Sequence, residues 1–203
     1  GEGSMIEFIL QGGVLMAPIL SCSVLALGIV IERLFNLRAK RVIRNAELEE
    51  VESMIREKRI SEANMLCRRS TSAMSRILLA AIHNHEKDRA EIKELIEDAG
   101  RQEIPTLERY LGLLGTLAGI TPLLGLLGTV AGMIRVFDVI SKAGVGQPNA
   151  LAGGISEALI TTAAGLTVAI PALVFHSYFV SKADGLVLEM EKHSLRLLDI
   201  LKR

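Results

Sequence analysis

The chain has 203 residues, half of them apolar and 23% charged, with 23 Lys and Arg balancing 23 Asp and Glu. Zero net charge and few aromatics offer no basic surface for nucleic acid, and its two cysteines, Cys22 and Cys67, form no metal-ligand spacing and are read as unremarkable thiols. Charges crowd between Glu32 and Arg109 and again after Lys182, leaving three apolar stretches, and that segregation marks an integral membrane protein.

Gly1–Ser4, ahead of Met5, reads as an expression scar. The first apolar run, Ile6–Ile31, is interrupted only by Glu7, Gln11 and small polar residues. A cleaved signal peptide is disfavoured because the cations follow this run instead of preceding it. Ile19–Cys22 loosely resembles a lipoprotein cleavage box, but it stands in mid-run without a basic leader. A retained first transmembrane helix is therefore expected over residues 5–32. Arg33, Arg38, Lys40, Arg41 and Arg44 come directly after it. The positive-inside rule then places the N-terminus outside, residues 33–109 inside, the 141–149 turn outside and the C-terminus inside.

Residues 33–109 read as a cytosolic helical region. Asn45 and Ser61 are candidate helix starts, Ala73–His83 is an apolar helix, and Asp88 with Glu91 resembles a capping box. Ile92, Leu95, Ile96 and Ala99 continue as a helical stripe. Gly100 and Pro105 break the stripe, and a kinked helix running on into the second span is predicted. That span, residues 110–140, carries no ionisable side chain from Leu111 to Ile134. Such a helix is about 36 Å long, enough to cross a hydrocarbon core of roughly 30 Å. The third span, 150–181, follows the short turn and holds one acid, Glu157. Leu186, Met190, Leu195 and Leu198 predict that its helix continues through 182–203. The fold class is thus all-α: an integral membrane protein with three transmembrane helices, the second and third long and extending into a cytosolic helical bundle.

Both long spans are rich in small residues. Gly115 and Gly119, and again Gly128 and Gly132, are Gly-x-x-x-Gly pairs that let helix backbones approach. Gly125 joins that set, and the third span has a small face through Gly154, Ala158, Thr162, Gly165 and Ala169. An ionisable group inside a span costs about 2.5–3.5 kcal/mol on insertion scales. Glu157 is accordingly either a border residue or a carboxylate facing an interior cavity, and both readings stay open. Thr129, Thr161 and Thr162 either bond carbonyls one turn back in their own helices or line a polar conduit. Thr162 shares the small face, which favours it over Thr161. His176 reads as interfacial beside Tyr178, and Pro122 and Pro171 as kinks. Ser177 next to His176 makes no catalytic pair, no glycine leads to a phosphate loop, and neither an enzyme nor a cofactor is expected.

The segment Thr121-Pro122-Leu123-Leu124-Gly125-Leu126-Leu127-Gly128-Thr129-Val130-Ala131-Gly132 resembles the second-span signature of the MotA/TolQ/ExbB family. Gly154-Ile155-Ser156-Glu157-Ala158-Leu159-Ile160-Thr161-Thr162-Ala163-Ala164-Gly165 resembles its third-span signature, and Ile170-Pro171-Ala172 extends the match. Three spans favour the ExbB or TolQ branch, with a lean toward ExbB, because the MotA branch usually has four. The resemblance implies a bacterial inner-membrane homopentamer whose second and third helices surround a pore. It implies a dimer of single-span ExbD- or TolR-like partners inside that pore, and a TonB- or TolA-like protein beyond them. It also implies a proton-driven rotary motor, with Thr129, Glu157 and Thr162 as pore or ion-pathway residues. Gly115, Gly119, Gly125, Gly128, Gly132, Ala158, Gly165 and Ala169 are the expected packing residues. A passive membrane scaffold for partner helices is the rival from another functional class.

Overall fold

A computed structural model describes residues 12–144 and 148–202. Among these residues there are eight α-helices and no strand: α1 Met16–Asn36, α2 Ala39–Val42, α3 Asn45–Arg56, α4 Ile60–Arg69, α5 Ala73–His83, α6 Arg89–Leu107, α7 Leu111–Ala143 and α8 Pro148–Leu201. Three helical stretches, Met16–Asn36, Arg89–Lys142 (by its α7 part) and Leu151–Leu201, are long and apolar enough to cross a membrane. The protein is an all-α membrane protein. Residues 1–11, where the scar and the beginning of the first span were expected, and 145–147 of the expected turn lie outside the described residues.

The chain divides into two compact units. One comprises residues up to Ile31 with Tyr110–Ser177, and so holds most of α1, all of α7 and the first part of α8. Its interior is built from Ile19, Leu114, Leu117, Ala118, Val136, Ala158, Ala169 and Ala172, an unusually small-sided core. Outside that core, Leu123, Leu126, Val130, Ile134 and Phe137 of α7 and Leu159, Ile170, Leu173 and Val174 of α8 are exposed. So many large apolar side chains on the surface depart from the usual soluble pattern, as expected for helices packed in lipid.

The other unit comprises Glu32–Arg109 with Tyr178–Arg203. Here α3, α4, α5 and α6 pack successively on one another. Their buried stripes include Leu48, Val51 and Ile55 of α3, Ile77, Leu78 and Ile82 of α5, and Ile92 and Ile96 of α6. Phe179, Leu186, Met190, Leu197 and Leu198 supply the stripe of α8 at helical spacing. Leu195, expected on that stripe, stands 37% exposed. Cys67 is buried and free, and burial, reinforced by the charge of Glu47, pushes its thiol up to about 11, which leaves it unreactive.

Two local starts differ from the sequence reading. Asn45 and Ser61 fall inside α3 and α4, and the cap positions belong to Arg44 and Arg59, neither of which makes a side-chain cap. Asp88 does occupy the cap of α6, but its carboxylate makes no cap hydrogen bond. Ser72 provides a true cap, its hydroxyl accepting the Ser75 N–H at 3.1 Å.

The larger difference concerns the junction of α6 and α7. In place of a continuous kinked helix, the chain breaks over Glu108–Tyr110, and Tyr110 takes a left-handed conformation with φ of 64°. Arg33 supplies the physical reason. It is 3% exposed, and its Nη1 donates to the carbonyls of Leu107 at 3.1 Å and Thr106 at 3.3 Å. Those carbonyls need donor partners wherever a helix ends, and a guanidinium provides them. Pro105, by contrast, sits inside α6, as Pro122 sits inside α7 and Pro171 inside α8.

Two acids in the charged unit are buried against exposed arginines. Glu103 meets Arg76, with contacts of 2.6 Å from Nε and 2.5 Å from Nη2. Glu52 meets Arg196 of α8 at 2.9 Å. Removing one partner of such a pair strands a carboxylate away from water. Arg76→Ala should lower unfolding stability by about 1–3 kcal/mol. Adding Glu103→Gln to that variant should recover part of the loss, because the stranded charge is then gone. Thermal unfolding in detergent checks both, and equal melting of all three proteins would contradict the pairing.

Candidate functional site

The sequence-predicted residues meet along an antiparallel seam between α7 and α8. Gly125 opposes Gly165, Thr129 opposes Thr162, Gly132 opposes Ala158, and Val136 opposes Gly154. The seam is closed by missing side chains. A methyl at Gly165 would lie 2.8 Å from the Thr121 carbonyl oxygen and 3.1 Å from Gly125 Cα. One at Gly132 would lie 2.8 Å from the Gly154 carbonyl, and one at Gly128 would collide with the Thr161 side chain. Real Cβ atoms do not approach that closely, so glycine alone permits this spacing. Ala158 and Ala169 are both buried. Gly115 instead makes room for the His176 imidazole, whose Nε2 would lie 2.8 Å from an added methyl, and Gly119 has nothing within 4 Å in this chain.

At the middle of the seam, two threonines cross over. Thr129 and Thr162 hydrogen-bond each other through their hydroxyls. Thr162 Oγ1 also lies 2.9 Å from the Gly125 carbonyl, and Thr129 Oγ1 lies 3.4 Å from that of Ala158. Gly125 is one turn before Thr129, and Ala158 one turn before Thr162. Each hydroxyl thus reaches the carbonyl that the other threonine would have taken locally. Thr116, Thr121, Thr161 and Thr167 all make the ordinary local bond, to Gly112, Leu117, Glu157 and Ala163. Only the pair at the seam departs from it. With Thr162 donating to Gly125, Thr129 donates to Thr162, and both residues are half-buried.

Thr161, one residue away, packs against Gly128 of α7 and is fully buried. Its hydroxyl hydrogen is shared between the Glu157 carbonyl at 2.7 Å and the Gly12 carbonyl at 2.8 Å, which ties the segment before α1 to α8. Glu157 lies on the same side. Arg135 Nη1 grips both of its carboxylate oxygens, at 2.6 and 2.5 Å, and the carboxylate packs against Gly13, where φ of 69° and the absence of a side chain leave room. α8 begins at Pro148, so Glu157 is preceded by more than two helical turns.

Sequence reasoning missed Arg135 as the partner of Glu157 and Thr121 as a fully buried hydroxyl behind the seam. The signal for Arg135 was present. Once Thr129 is set level with Thr162 on antiparallel helices, six residues on along α7 falls opposite five residues back along α8. Among the described residues, no group of three His, Cys, Asp or Glu side chains is placed to hold a metal.

A sequence profile described as the MotA/TolQ/ExbB proton channel family matches residues 69–192. The chain is 34% identical over 174 residues to the ExbB-like 3 biopolymer transport protein of Synechocystis sp., covering 85% of this chain and 83% of that one. It is 32% identical over 200 residues to biopolymer transport protein exbB1 of Vibrio cholerae, covering 94% and 85%. It is also 42% identical over 79 residues to the Tol-Pal system protein TolQ of Haemophilus influenzae, covering 39% and 35%.

The seam makes a simple contrast between two glycines. Gly165→Ala should destabilise by about 1–3 kcal/mol, because a methyl must push apart two backbones. Gly119→Ala should be neutral or stabilise by up to about 1 kcal/mol, as alanine favours helix and meets no neighbour in the chain. Thermal melts of the two variants in the same detergent decide it, and equal melting temperatures would refute the close approach.

Proposed function

The chain belongs to the MotA/TolQ/ExbB proton channel family, and from that premise we propose that it is the pore-forming subunit of a proton-driven rotary motor of the ExbB–ExbD type. The observation that carries the reading is the crossed Thr129–Thr162 couple, two half-buried threonines whose hydroxyls link two helices across a seam closed by glycines. Hydroxyls can pass a proton or hold a water, but they cannot store charge at neutral pH. No acid lies at the centre of any span of this sequence. The proton-carrying carboxylate therefore comes from a partner helix, and the threonine couple is the surface past which it moves.

In this reading five copies surround two single-span ExbD-like helices, with α7 and α8 of each copy facing the pore. The N-terminus is periplasmic, and the charged unit and C-terminus are cytosolic. Glu157 and Arg135 then stand on the periplasmic side of the threonines, where their ion pair sets a fixed dipole near the pathway without adding net charge. One charge crossing 100 mV releases roughly 2.3 kcal/mol, enough per step to bias rotation. Force passes through the partner to a TonB-like protein that serves transport across the outer membrane. The ExbB assignment rests on relatives matched over most of the chain, whereas the TolQ likeness covers 79 residues. A TolQ-like role in outer-membrane maintenance is the second reading, favoured by the higher identity within that segment.

Native mass in detergent is the first test, for the chain alone and co-expressed with the single-span protein encoded beside it. Five copies that take up two partner helices are expected, and a monomer or dimer indifferent to the partner would remove the pore. Thr162→Val and Glu157→Gln should each lower energised transport at least roughly tenfold, while Thr162→Val costs only about 1 kcal/mol of stability. Loss of assembly in both would instead assign these residues to packing. Transport that continues after the gradient is collapsed would favour the passive scaffold.

A further inference from the structure

The charged unit holds a second polar feature, a cavity of about 260 Å³ lined by Arg33, Arg41, Arg76, Arg109 and Glu32. We propose that it is a binding site for a phosphate-bearing anion at the membrane boundary, either the headgroup of an anionic phospholipid or free phosphate. Nothing in the threonine seam or the motor reading bears on this site.

Three stretches far apart in sequence build the cavity. The end of α1 brings Glu32 and Arg33, the start of α5 brings Arg76, and the end of α6 brings Arg109 just beyond it. Arg33 forms a buried wall, fixed by Glu32 Oε1 at 2.6 Å from Nη2 and by the carbonyls at the end of α6. Arg41 engages Asn36 Oδ1 at 2.7 Å with one of its five N–H donors. Arg76 is held toward the cavity by Glu103 and by the Thr71 carbonyl at 2.9 Å. Leu37 and Leu107 lie buried beneath, so the floor is apolar and low in dielectric. Counting Glu103 along with Glu32, four guanidiniums face two carboxylates, and the cavity keeps a positive excess that an anion would offset.

A bland origin for these cations is membrane topology, which requires only positive charge near the ends of the spans. That rule accounts for Arg33, Arg41 and Arg109. It does not require that they converge on one concavity, nor that Arg76, more than thirty residues from either neighbouring span, converge with them. Arginine forks match phosphate oxygens bidentately, and basic pockets beside transmembrane helices are suited to anionic lipid headgroups. Glu32 and Arg33 end the last turns of α1 and Arg109 stands two residues before α7, so both neighbouring chain segments run directly into membrane spans. A lipid could therefore place its headgroup here with its acyl chains alongside.

The test is a native mass titration of the full chain with phosphatidylglycerol and with phosphatidylcholine of the same acyl chains, beside thermal melts in inorganic phosphate. Wild type should retain phosphatidylglycerol in preference to phosphatidylcholine. The double variant Arg41→Gln/Arg109→Gln should bind it roughly tenfold more weakly, the loss expected for a charge-assisted contact. Thr71→Asp, which adds a negative charge at the rim and removes no arginine, should give the same loss and covers a failure of the double variant to fold. If lipid shows no preference but phosphate raises the wild-type melting temperature and not that of the variants, the site stands and free phosphate is its ligand. Equal binding of both lipids together with equal phosphate response in all proteins would overturn the proposal.

Discussion

The structure depends on two helix backbones lying closer together than side chains allow. Between α7 and α8 the contacts fall on Gly125, Gly128, Gly132, Gly154 and Gly165, and at four of these an added methyl would run into backbone oxygen or Cα atoms within 3.2 Å. In lipid there is no hydrophobic gain from joining two apolar helices, since tails are as apolar as leucine. Dispersion over a tight seam and hydrogen bonds across it must do what water exclusion does elsewhere. Many large residues, Leu123, Leu126 and Leu159 among them, are left to face outward, while small ones line the seam.

That closeness also makes the threonine couple possible. A hydroxyl in a helix ordinarily satisfies itself one turn back, and four threonines of the spans do so. Thr129 and Thr162 instead reach across to carbonyls of the opposite helix, at 3.4 and 2.9 Å. The packing and the polar feature are therefore one construction: widening the seam would return both hydroxyls to local bonds. The proton pathway proposed above needs polarity without permanent charge in the membrane, because a lone buried charge is costly. The one acid nearby, Glu157, is neutralised by Arg135 on the neighbouring helix.

In the charged unit the organising group is Arg33. Its guanidinium ends α6 by taking the Thr106 and Leu107 carbonyls, and the chain turns through a left-handed Tyr110 before α7 begins. A buried arginine is tolerable there because every part of the fork has a partner nearby, Glu32 included. The same group lines the cationic cavity, so the residue that sets the helix boundary also contributes to the electrostatics of the boundary region.

Much of this was legible in one dimension. The three apolar runs, the helical stripes of α5, α6 and α8 and the glycine spacings follow from periodicity and from the length a bilayer demands, which are properties of consecutive residues. The family likeness was legible for the same reason, since its motifs are contiguous. What could not be read were partners separated along the chain: Arg33 on the end of α6, Arg135 on Glu157, Thr161 on Gly12, and four arginines around one cavity. The break at Glu108–Tyr110 was missed because its cause lies more than seventy residues upstream, where a sequence shows only one more cation after a span. The sequence by itself determined which segments are helices, which of them suit a membrane and which faces are small enough to meet. Only the tertiary structure decided which carbonyl each hydroxyl and guanidinium satisfies, because a hydrogen bond is set by a distance of about 3 Å in space and not by separation along the chain.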